Sequence, residues 1–140
     1  MKIGKKASMT KKITQEDIIN YSKISLDDNP LHLNEEYAKN SIFKKRIAHG
    51  MIAAGLISAV LGTKLPGKGS IYLEQSLKFL KPVYINDNIT ATVEIKKIEN
   101  KIVTLETFCI NQEGKIILKG EAKILKENIW LNFWMYYQAH

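Results

Sequence analysis

Six consecutive residues, Asp27-Asp28-Asn29-Pro30-Leu31-His32, bring a carboxylate, an amide and an imidazole into one proline-constrained stretch. Such an aspartate and histidine can hold one water between them. The carboxylate takes a proton while the imidazole gives or accepts another. Histidine suits that part because its pKa lies near neutrality. Asn29 could orient either partner, and Asp28 reads as a solvated neighbour. The competing reading is turn chemistry, in which Asp, Asn and Pro only bend the chain. A calcium loop is excluded, because Leu31 stands where a third ligand would be and no glycine follows. Asp27, His32 and His49 are of metal-ligating types, but their spacing fits no metal motif, so no metal is expected.

Seventeen positions after His32, His49-Gly50-Met51 leads into an apolar run. Gly50 permits close backbone approach to a ligand. At a helix start its N–H is free and lies at the positive end of the dipole, where it could hold a carbonyl oxygen as negative charge builds. His49 reads as a packing or capping residue before a second acid or base. Ser58 lies about two turns on and could reach back towards the Asp27–His32 pair. Its alternative is a hydroxyl bonded to its own helix. Leu61 stands about 16 Å along the axis from Gly50, where it would meet only the far end of a bound chain. Cys109 falls in a strand pattern and reads as a core residue. No nucleophile elbow, Walker or dinucleotide fingerprint occurs, and the glycines of Leu65-Pro66-Gly67-Lys68-Gly69 follow a helix and lack P-loop spacing.

The elements that must position these groups follow from periodicity. Residues 1–13, with Ala7-Ser8-Met9-Thr10 between lysines, suit a short edge strand. Thr14 with Asp17 is a capping-box pattern opening a helix to about Ser22. Residues 25–34 read as a loop, and residues 35–39 as one or two helical turns. From His49 to Leu61 the chain is apolar on nearly every side, which predicts a helix buried all round, with Gly62 as its stop. Beyond Ser70 the period becomes two. One strand is expected over 71–83, interrupted at Pro82. Others follow over 89–95, 102–110 and 116–125, each separated by turn residues. The order predicts an α+β fold, with an antiparallel sheet curled around one buried central helix. Its open edges call for a second copy of the chain. The aromatic residues 128–140 break the pattern as an extension of unknown role.

The chain has 140 residues, 45% of them apolar, and a net charge of +7. That is one domain's length with material for a core. The lysines are dispersed and no recognition motif accompanies them, so nucleic acid is not the expected partner. A polyanionic small molecule such as a CoA ester is one alternative, with Lys44, Lys45, Arg46, Lys64 and Lys68 as candidate contacts, and a solvated lysine-rich surface is the other. One cysteine excludes an internal disulfide, and no apolar run approaches the roughly 20 residues needed to span a bilayer. The expectation is a cytoplasmic protein without a membrane partner.

The segments Asp27 to Asn34, Ile47-Ala48-His49-Gly50-Met51 and Leu65 to Tyr72 resemble the MaoC-like (R)-specific enoyl-CoA hydratases, over residues 1–126 in the same order. The resemblance implies a hot-dog fold, one domain over 1–127, and a homodimer or higher homo-oligomer. It implies reversible syn addition of water to a trans-2-enoyl-CoA, or an acyl-carrier thioester, with no cofactor beyond the CoA of the substrate. Asp27 and His32 would activate the water, Asn29 orient them, and the Gly50 N–H bind the thioester oxygen. Ser58 would lie near the substrate, with Leu61 beside the acyl chain. The same fold also hosts thioesterases and non-catalytic acyl-binding modules, so the fold alone leaves these open.

Overall fold

The computed structural model describes residues 1–126 and Gln138. The 128–140 extension otherwise lies outside the described residues. Among residues 1–126, four helices and six strands follow in the order β1 (Lys6–Lys12), α1 (Gln15–Ser25), α2 (Pro30–Leu33), α3 (Glu35–Lys39), α4 (Gly50–Thr63), β2 (Ile71–Gln75), β3 (Lys78–Phe79), β4 (Asn88–Glu99), β5 (Ile102–Ile110) and β6 (Ile116–Leu125). The strands form one antiparallel sheet in the order β1-β4-β5-β6-β2, with β3 also pairing β6.

The sheet's inner face is written in the alternation of its strands. Ile89, Ala91, Val93 and Ile95 of β4 are buried, as are Val103, Leu105, Thr107 and Cys109 of β5. They meet Ala53, Leu56, Ile57, Val60 and Leu61 of α4 in a single core. The first helix begins with the capping box expected at Thr14: its hydroxyl accepts from the Asp17 N–H, and the Asp17 carboxylate accepts from the Thr14 N–H. It runs three residues beyond the expected Ser22 and ends on Leu26 in the left-handed region.

Three expectations need correction. The central helix is not buried all round: Met51, Gly55, Ser58 and Gly62 form a stripe that this chain leaves exposed. These recur at helical spacing, but three of them are small or polar and hardly modulate an otherwise apolar run. Gly62 lies within the helix, which ends at Thr63, where the Lys64 N–H bonds to the Val60 oxygen. The strand expected over 71–83 is two, because the chain breaks at Ser76 and crosses over Gly120. A Cβ on Gly120 would lie 1.7 Å from the Ser76 oxygen, so only glycine admits this crossing.

Candidate active site

The stretch read as a loop contains a one-turn helix. Pro30 occupies its first turn, where the missing N–H costs nothing. Asn29 caps it, its Oδ1 accepting from the Leu31 N–H at 3.1 Å. The amide therefore orients the site by fixing the turn that carries His32. Asp27 is held beside it: its N–H bonds to the Ser25 hydroxyl, and its Oδ1 accepts from the Asn29 N–H at 3.3 Å.

His32 is buried and tied at two points. Its Nδ1 lies 2.7 Å from the Ile47 oxygen. A carbonyl can only accept, so the proton sits on Nδ1 and Nε2 is left for chemistry. The main-chain oxygen of His32 accepts from Arg46 Nε at 2.7 Å, and Arg46 Nη1 donates to Gln15 Oε1 at 2.9 Å. Arg46 is itself buried, which removes it from the surface set proposed for CoA phosphates. Nothing in its run of basic neighbours distinguishes that role. Two other members of that set are also engaged: Lys45 Nζ lies 4.2 Å over the Tyr84 ring, and Lys64 Nζ donates to the Ser8 oxygen.

His49, read as a packing or capping residue, joins the site. It occupies the N-cap of α4, but its side chain makes no capping bond. One donor atom from each of Asp27, His32 and His49 lies within 4.8 Å of the others. Burial holds the His49 pKa below its ordinary value. The bond to the Asp27 carbonyl works against this, nearby His32 charge adds to it, and the Asp27 charge opposes it.

Gly50 opens α4 where its first N–H groups have no partner within the helix. Together with His32 it lines an apolar cavity of about 290 Å³, walled by Phe43, Phe79, Leu80 and Ile117. The Phe79 ring lies directly over Gly50: a Cβ there would sit 2.6 Å from the ring. Thus the Asp27 carboxylate lies beside the His32 imidazole, and His32 shares the cavity with Gly50 at the helix N-terminus. Ser58 does not join them within one chain. It lines a second cavity, of about 550 Å³, with Tyr21, Met51, Gly55 and Tyr72. Leu61 faces neither cavity; at 1% exposure it belongs to the core. Residues that sequence reasoning passed over are Arg46 as a clamp, Phe79 as a wall and Tyr21, whose ring centroid is 4.7 Å from that of His49.

A sheet wrapped on one helix, with an acid and an imidazole near that helix's N-terminus, defines a hot-dog domain. The chain belongs to the MaoC-like domain family, whose pattern matches residues 2–112. It is 50% identical over 127 residues to the (R)-specific enoyl-CoA hydratase of Rhodospirillum rubrum, covering 89% of this chain and 88% of that protein. The solved (R)-hydratase of Aeromonas caviae, involved in PHA biosynthesis, superposes with a TM-score of 0.88 at 40% identity, over 91% of this chain and 98% of that one. R-hydratase PhaJ1 of Pseudomonas aeruginosa, in its unliganded form, gives a TM-score of 0.85 at 41% identity, over 89% and 81%. The hot-dog expectation is therefore met.

Proposed function

We propose that this protein is an (R)-specific enoyl-CoA hydratase, adding water reversibly and on one face across a trans-2-enoyl-CoA to give the (R)-3-hydroxyacyl-CoA. The observation that carries this reading is the Asp27 carboxylate beside the His32 imidazole, which lines an apolar cavity together with Gly50. The high identity to hydratases over nearly the whole chain supports it.

The steps follow from the geometry. The Asp27 carboxylate and His32 hold one water. Asp27 withdraws a proton as the water oxygen bonds to C3, and the protonated His32 Nε2 delivers a proton to C2 from the same side. Negative charge moves onto the thioester oxygen, which the Gly50 N–H receives at the positive end of α4. Proton return from Asp27 to His32 resets the pair. Asn29 acts by capping the helix that carries His32.

Ser58 serves the acyl side from the second cavity, and Leu61, one turn further along α4, packs the core behind it. No cofactor or metal takes part. The working unit is a homodimer. In its favour are the exposed α4 stripe and the neighbouring edge strand β2, where Tyr72 and Leu73 are also exposed. The product's chemistry fits polyhydroxyalkanoate precursor supply, and the lone reduced Cys109 suits the cytoplasm. Among the described residues, no helix is long and apolar enough to cross a membrane.

Incubation with crotonyl-CoA, following loss of the enoyl thioester and release of free thiol in parallel, tests the reading. Loss of the enoyl signal without thiol is expected. Thiol release would make the protein a thioesterase, and binding without either change would make it an acyl-CoA-binding module.

A further inference from the structure

His49 is 3% exposed, packed between the elements that carry the acid and the imidazole, and the steps above leave it without a task. Its Nε2 lies 2.9 Å from the main-chain oxygen of Asp27 and 3.2 Å from the Ser22 hydroxyl. Because the carbonyl can only accept, Nε2 bears the proton and Nδ1 carries the lone pair. That Nδ1 is buried and has no hydrogen-bond partner among the described residues. Buried polar atoms are normally paired, so an orphaned one marks a ring held in place for some other reason.

The other contacts of the ring supply that reason. It lies against His32, with centroids 3.9 Å apart and planes inclined by 33°. Tyr21 of α1 packs on it at 4.7 Å. The titratable groups facing it are thus Tyr21, Asp27 and His32, from α1, the loop and α2. Two imidazoles in such contact do not both carry charge readily, and burial already disfavours a second proton on His49. His49 is thus kept neutral.

We propose that His49 is a positioning residue for the hydration: a neutral imidazole that binds the Asp27 main chain with Nε2–H and braces the His32 ring with its face, so that carboxylate and Nε2 share one water. This rests on the hydratase reading above. The brace joins the two reacting groups from behind, through one main-chain atom and one ring face. Its effect therefore falls on turnover, and substrate affinity is left nearly alone.

Three variants test it, with kcat and KM measured on crotonyl-CoA. His49→Phe keeps a ring against His32 and loses the donor. His49→Gln offers an amide N–H to the Asp27 oxygen. Ser22→Ala removes the second oxygen beside Nε2. His49→Phe is expected to lower kcat by about 100-fold, the scale of a small misplacement of a reacting group, with KM nearly unchanged. His49→Gln should recover part of that loss, and Ser22→Ala should lower kcat slightly. If the Phe variant does not fold, a fall in kcat at constant KM in the Gln and Ala variants supports the proposal, and wild-type kcat in both overturns it. A loss confined to KM, or one that Gln does not ease relative to Phe, also overturns it. Wild-type protein without turnover would overturn the hydratase reading and this inference together. Wild-type turnover matched by every variant would overturn this inference alone.

Discussion

The Arg46 guanidinium donates from Nε to the His32 main-chain oxygen at 2.7 Å, from a buried position. Its Nη1 reaches Gln15 at the start of α1 in the same span. Lysine has no planar fork and cannot reproduce both bonds. Arg46→Lys should therefore cost about 1.5–3 kcal/mol in urea unfolding, the range for hydrogen bonds to charged groups. It should also slow turnover. If it weakens substrate affinity in a salt-dependent manner and leaves stability intact, Arg46 belongs to CoA binding instead.

On the proposed mechanism Asp27 and His32 share one water, so their losses should not multiply. Each alanine variant should lose about 10²–10⁴ of turnover, as expected for a positioned acid or base. The double variant should be little worse than the poorer single one. Asp28→Asn should matter far less. A folded Asp27→Ala protein that retains activity would remove the carboxylate from the mechanism.

Gly50 must stay bare for Phe79. A Cβ at Gly50 would meet Phe79 Cε1 at 2.6 Å and Cδ1 at 2.7 Å. The ring is half exposed and can swing away, so Gly50→Ala should fold but disturb the cavity mouth. Turnover should fall, and Phe79→Ala in the same chain should restore part of it. If the second substitution only deepens the loss, the ring is needed at that wall for itself.

Acidification should cost stability through His49. Burial holds its folded pKa below the ordinary value, which the unfolded chain keeps at about 6.5. Between the two values the unfolded state binds more protons, so stability falls as pH falls. The contribution is complete above about pH 6.5 and is lost progressively down to the folded pKa. Urea midpoints of wild type and His49→Gln, compared at pH 7.5 and 5.5, check the sign. Wild type should lose more on acidification. Equal losses would mean that His49 is not held neutral.

Much of the scaffold was legible because local signals agreed. Thr14 and Asp17 announce α1, the alternation from Ile89 to Ile95 announces β4, and Asp27 with His32 marks the candidate site. What escaped depended on distant partners. The break after Gln75 is set by Gly120, which no local reading of 71–83 can see. Arg46 looks like one more surface cation until Gln15 and the His32 oxygen are brought to it. Ser58 and Leu61 were both assigned to the substrate path. Their three-residue separation puts one on the exposed stripe and the other in the core, a difference that an apolar run of Ala, Gly and Ile conceals. Helix α2 was missed for a different reason. Asn29 and Pro30 are helix-start residues as well as turn residues, and a single turn offers no periodicity to decide between them.

The groups assigned to the chemistry, from Ser22 to Gly50, occupy one short contiguous segment, whereas much of the cavity wall comes from Phe79 to Val83 and from Ile117 and Leu118. The wall is therefore shared: Phe43, Ile47 and Ala48 line it from within the segment assigned to the chemistry, and the later stretches supply most of the rest. Exchanging the wall segments between relatives would trade acyl preference while the proton-transfer apparatus is inherited whole. A library confined to Leu80–Val83, Ile117 and Leu118 would vary the wall while leaving Asp27, His32 and Gly50 unchanged.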